Sequence, residues 1–192
     1  MKRTFFSLAL LLAVATLTAQ TKMTAREAAV KIADRILAST TYEFKNTKTG
    51  EIYKSVKKLP LDMDVKVACK YNNWHYTNGV TNMALMELGD KLGDKKYEKY
   101  VLKNMNFVFN EGNLDFFRKQ YDEAFKRDGW NAVRKLSWHM IFRGKRLDDN
   151  GPMGASLIEL QLKYPNDSFL GYINETAEHL NYGEPRLVDG TI

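Results

Sequence analysis

The stretch Asn78-Gly79-Val80-Thr81-Asn82-Met83-Ala84-Leu85-Met86-Glu87-Leu88 returns 72 residues later as Asn150-Gly151-Pro152-Met153-Gly154-Ala155-Ser156-Leu157-Ile158-Glu159-Leu160. This is an internal repeat, and self-similarity at a fixed spacing is a signature of stacked supersecondary units. The register continues without a gap: Lys91 lies over Lys163, Gly93 over Pro165, Asp94 over Asn166, Tyr97 over Phe169, Tyr100 over Tyr172 and Val101 over Ile173. Each copy reads as helix, short turn, helix. The first turn is Leu92-Gly93-Asp94 with Asp94 as cap, and the second is Tyr164-Pro165-Asn166-Asp167 with Asn166 or Asp167 as cap. The first helix of each copy carries small residues, namely Gly79, Ala84, Gly154, Ala155 and Ser156, with few charges around them, which predicts burial on several sides. The second helices, with Lys95, Lys96, Glu98 and Lys99 in one and Glu175, Glu178 and His179 in the other, read as an outer layer with one wet face. The class this predicts is all-α, an α/α toroid of helical hairpins.

Upstream, Thr24 and Glu27 have the spacing of a capping box, and Ala29, Ile32, Ala33, Ile36 and Leu37 recur at helical spacing up to Thr40-Thr41. Residues 42–70 read as loop with some extended pieces, including a turn at 46–50. Between the copies, 113–127 and 130–142 read as two helices separated by Asp128-Gly129. The first nineteen residues read as a signal peptide: Lys2 and Arg3 precede an apolar run at 5–14, and small residues lead to cleavage after Ala19. The run is short of the ~20 apolar residues that span a bilayer. Export to the periplasm or medium is expected, with no membrane association after cleavage.

Residues 20–192 then form part of a single domain. With 44% apolar residues the chain can build a core, and with one cysteine, Cys69, it cannot close an internal disulfide. The formal charge falls from +6 to +4 once Lys2 and Arg3 are removed, too mild to argue for nucleic acid. A closed ring of six hairpins needs roughly 12 helices and well over 200 residues. An incomplete ring is therefore expected.

Nucleotide, zinc-protease and nucleophile-elbow motifs are absent, and His75, His139 and His179 are dispersed. No metal or organic cofactor is expected. Two constellations precede the inner helices at equivalent points of the repeat. Trp74-His75-Tyr76 offers aromatic rings that could stack on a sugar or fill the core at a helix start. Arg146-Leu147-Asp148-Asp149 offers carboxylates that could cap the helix, pair with arginine or serve acid–base catalysis.

Four segments together, Trp74-His75-Tyr76-x-x-Gly79, Gly93-Asp94-Lys95-Lys96-Tyr97, Leu147-Asp148-Asp149-Asn150-Gly151-Pro152-Met153-Gly154-Ala155 and Arg186-Leu187-Val188-Asp189-Gly190-Thr191, resemble the unsaturated rhamnogalacturonyl hydrolases of glycoside hydrolase family 105. These are relatives of the family 88 unsaturated glucuronyl hydrolases. The resemblance runs from about Thr24 to the last residue. It implies an (α/α)6 barrel that removes a Δ4,5-unsaturated uronic acid from oligosaccharides released by polysaccharide lyases, acting by hydration of the C4=C5 vinyl ether. It further implies Asp149, with Asp148 as the alternative, as a catalytic aspartate, and Trp74, Tyr76, Asn150 and Met153 as substrate-binding residues. In the family the Arg-Leu-x-Asp-Gly-Thr segment precedes a Trp-x-Asp-Asp stretch carrying the proton donor. The expectation is thus the N-terminal half of a barrel, inactive or nearly so alone, completed by a C-terminal half or prone to self-association.

The competing expectation is a non-catalytic helical module that binds an anionic oligosaccharide or a partner protein. A third reading, an epimerase of the acylglucosamine type, lacks the spaced histidines it requires.

Overall fold

The repeat appears as two helical hairpins of matching design. The structure is a computed structural model that describes residues 23–144 and 147–190, without the side chain of Asp149. The expected signal peptide and Arg146 lie outside the described residues. The chain divides into two compact units at the Asp34–Arg35 bond.

The first unit contains the opening turns of α1 (Ala25–Ser39), where the capping box forms as expected. The Thr24 amide donates to Glu27 Oε2 at 2.8 Å and the Glu27 amide donates to Thr24 Oγ1 at 3.2 Å.

The second unit contains the remaining elements. The segment read as loop with some extended pieces holds a small antiparallel sheet, β1 (Phe44–Asn46), β2 (Ile52–Tyr53) and β3 (Val65–Val67), in the order β2-β1-β3. Phe44 pairs with Tyr53 on one side and Val67 on the other. Asn46 shapes the β1–β2 turn, its Oδ1 accepting from the amides of Lys48 and Thr49 and its Nδ2 donating to Asp62 Oδ2. Phe44 is fully buried and packs among Phe107, Phe117 and Trp138.

The helices that follow are α2 (Tyr76–Leu92), α3 (Lys96–Val108), α4 (Glu111–Val133), α5 (His139–Arg143), α6 (Leu147–Lys163) and α7 (Asp167–Glu178). The first hairpin, α2 and α3, turns at Gly93, whose φ of 67° suits a residue without a Cβ. Asp94 Oδ1 accepts from the Lys96 amide at 3.0 Å. The second hairpin, α6 and α7, is capped by Asn166, which accepts from the Ser168 amide at 2.9 Å. Asp128 and Gly129 interrupt α4 with non-helical backbone, as the sequence predicted. The piece after them ends at Val133 rather than running to 142, and Trp138, with a left-handed backbone (φ 56°) and its ring in the aromatic core, precedes the separate α5.

Among the described residues, inner helices α2 and α6 form the most extensive helix–helix contact. They run parallel: Gly79 near the start of α2 meets Pro152 and Met153 near the start of α6, and at the other ends Lys163 Nζ lies 3.2 Å from Asp90 Oδ2. A Cβ on Gly79 would sit 2.5 Å from the Met153 amide nitrogen and 2.7 Å from the Pro152 carbonyl oxygen, so only glycine permits this approach.

At the C-terminal ends a charged cluster ties both hairpins together. The Glu98 carboxylate on α3 has a side chain only 2% exposed and lies 2.7 Å from Lys163 Nζ and 3.3 Å from Lys95 Nζ. It also accepts from the Tyr164 hydroxyl at 2.6 Å. The bonds from Lys163 and Tyr164 outweigh burial and hold the Glu98 carboxyl down at about 2. The protein is mostly helical, as the sequence predicted.

Candidate functional site

The parallel arrangement of α2 and α6 brings the two constellations read from sequence to the same end of the inner helices. Tyr76 opens α2 and Leu147 opens α6, positions that the repeat register aligns to within one residue. Amides in the first turns of two parallel helices carry partial positive charge at that end.

Trp74 does not face solvent. It is 2% exposed, packs edge-on against Tyr172 at 5.0 Å and Phe109 at 5.8 Å between ring centroids, and donates from Nε1 to Asn150 Oδ1 at 2.9 Å. The Tyr172 hydroxyl donates to the same Asn150 oxygen at 3.0 Å, and burial pushes that phenol well above its ordinary range. Asn150 is itself buried, and its Nδ2 has no hydrogen-bond partner among the described residues. Met153 is buried where α6 meets Gly79. Trp74, Asn150 and Met153 thus build the joint between the two repeat copies. Of the two uses the sequence left open for the tryptophan, the structure displays the packing one.

Tyr76 and Asp148 stand differently. Tyr76 is 45% exposed and Asp148 lies exposed in the first turn of α6. Asp149 occupies the next position of that turn, and its side chain is outside the described residues. His75, the middle residue of the aromatic constellation, is exposed and serves as the N-cap of α2. Its Nδ1 accepts from the Thr77 amide at 3.4 Å and lies 2.9 Å from Thr77 Oγ1. Its ring lies 4.6 Å from that of Tyr76 at an interplanar angle of 36°. The signal in sequence is a histidine two residues before a threonine at a helix start, where a side-chain acceptor is needed. The surface around the two N-termini therefore offers two adjacent rings and a carboxylate above a buried joint.

The other histidines are engaged locally, His139 Nδ1 with the Leu136 carbonyl at 2.7 Å and His179 Nε2 with Glu184 Oε1 at 2.7 Å. Among the described residues no group of three His, Cys, Asp or Glu side chains could hold a metal ion. No helix there is long and apolar enough to cross a membrane. A scan against protein-family models finds no match, and neither does a search of curated proteins.

Proposed function

We propose that the chain is a glycoside hydrolase component acting on unsaturated uronyl oligosaccharides, with the paired N-termini of α2 and α6 as its substrate-facing wall. The observation that carries this reading is the Trp74–Asn150 hydrogen bond, which fixes the two constellations side by side. In this reading Tyr76 and His75 stack on the sugar, and the carboxylate end of the uronate lies near the helix N-termini, where a negative charge is favoured. Asp149, or Asp148 beside it, assists as water adds across the C4=C5 vinyl ether, with the proton supplied by the aspartate of the completing half; the resulting hemiketal opens and releases the sugar. No metal or organic cofactor enters this chemistry. The broader (α/α)6 barrel belongs to the same proposal and is supported by two tandem hairpins with parallel inner helices.

The test follows the ultraviolet absorbance of the conjugated enol ether when the purified chain meets unsaturated rhamnogalacturonan and glucuronan disaccharides. Loss of absorbance that Asp149→Asn reduces by a factor of about 10²–10⁴ in turnover, with substrate binding retained, supports the reading. Saturable disaccharide binding with no absorbance loss is expected of an uncompleted half-barrel as well as of a non-catalytic module, and absorbance loss restored by a complementing C-terminal half decides for the hydrolase. Neither binding nor turnover overturns both.

A further inference from the structure

On the second unit, the last turns of α1 and the turn after β3 border an open depression of 550 Å³, next to the start of α2, where Asn78 Nδ2 donates to the Lys70 carbonyl at 2.8 Å. Arg35, Ser39 and Thr41 line one side and Cys69, Lys70 and Tyr71 the other. No carboxylate lines it, and neither Arg35 nor Lys70 has an ion-pair partner among the described residues. Lys70 Nζ lies instead 5.2 Å from the centroid of the Tyr71 ring. The Ser39 hydroxyl already donates to the Arg35 and Ile36 carbonyls, so the Thr41 and Tyr71 hydroxyls are the donors that remain. Behind the cavity the Tyr42 and Tyr100 phenols are kept neutral by burial, and they supply no internal counter-charge. Cys69 is half-buried.

Two unopposed cations over a hydroxyl-bearing concavity are complementary to an oxyanion. The arginine fork matches two oxygens at once, and the lysine adds a point charge. We infer that this cavity binds a small oxyanionic ligand, a phosphate monoester or a carboxylate, between Arg35 and Lys70. The inference is independent of the glycosidase reading.

Cys69, the sole cysteine of the chain, is a built-in reporter. Its thiolate displaces iodide from anionic iodoacetate or from neutral iodoacetamide, forming a carbon–sulfur bond in both cases. In the folded full chain the iodoacetate-to-iodoacetamide rate ratio should exceed that of the denatured chain by about fivefold, since the cations favour the charged reagent. Arg35→Gln with Lys70→Gln should return the ratio to the denatured value, with the helical circular dichroism unchanged because both side chains are exposed. Inorganic phosphate should slow iodoacetate and leave iodoacetamide alone; acetate as an equal competitor assigns a carboxylate, and phosphate acting alone assigns a phosphate ester. As a second measurement, phosphate should shift the amide resonances of residues 68–71 saturably. A folded ratio equal to the denatured one, a ratio indifferent to the double substitution, or no saturable shift overturns the inference.

Discussion

Gly79→Ala probes the closest approach between the repeat copies. In an open helical position this change favours the fold by up to about 1 kcal/mol, because alanine is the better helix former. At Gly79 the new methyl would lie 2.5 Å from the Met153 nitrogen and 2.7 Å from the Pro152 oxygen. Both atoms are backbone, and neither can rotate away as a side-chain tip would. Helices α2 and α6 must therefore part by about 1 Å at this point to restore ordinary contact, disturbing the buried Leu85, Met86, Leu157 and Leu160. Overpacking of this kind costs about 1–3 kcal/mol, and the rigid neighbours place Gly79 at the upper end. After the propensity gain the net loss is about 2 kcal/mol, or roughly 4–8 °C in Tm for a chain of this size. The matched control is Gly154→Ala in α6, where an added Cβ meets nothing within 4 Å and should leave Tm unchanged or raise it. Thermal denaturation followed by far-ultraviolet circular dichroism reads both. If the two substitutions shift Tm in the same upward direction, the close parallel packing of α2 on α6 is wrong.

Glu98→Gln should destabilise the protein by about 2–3 kcal/mol near neutral pH, a figure reduced from the full pKa depression because Lys163 is one-third exposed and Lys95 more so. The depressed carboxyl stabilises the fold fully above its ordinary 4.5 and loses that contribution as pH falls towards 2. Urea titrations should accordingly show the gap between parent and variant closing across that window; a gap constant with pH would refute the role of the charge. Asn150→Leu strands the Trp74 indole N–H and the Tyr172 hydroxyl in a dry core and should cost about 2–4 kcal/mol, with a changed near-ultraviolet aromatic signal. Full retention of stability and signal in that variant would show that the joint does not depend on the asparagine.

The hairpins were legible because the 72-residue register duplicates every cue: a cap in one copy has a cap in the other, and two aligned patterns reinforce each other. The sheet was not, since strands of two or three residues are too short to display an alternation of period two. The break at Asp128-Gly129 was visible from composition, but the left-handed Trp138 was not. That conformation is imposed by Phe44, Phe107 and Phe117, which come from elsewhere in the chain. The site divides along the same line. Placement of both constellations at one end followed from the repeat, whereas the burial of Trp74 depends on Phe109 and Tyr172, contacts that no local pattern encodes.

The two ends of the α2–α6 pair are fastened by different chemistry, and the difference fits what each end can do. The C-terminal end is held by Glu98, Lys163 and Asp90, charges whose partly exposed members are screened by solvent and salt. The N-terminal end is held by neutral hydrogen bonds from Trp74 and Tyr172 to Asn150 inside an aromatic cluster, where no charge is needed to secure the joint. A sugar-facing wall gains from that separation. Residues locked in the joint fix the spacing of the two helix starts, and the exposed side chains above it, His75, Tyr76 and Asp148, can meet a ligand. Substitution of Asn150 should therefore act on stability first and on any ligand through geometry, whereas substitution of Tyr76 should act on ligand affinity with little effect on stability.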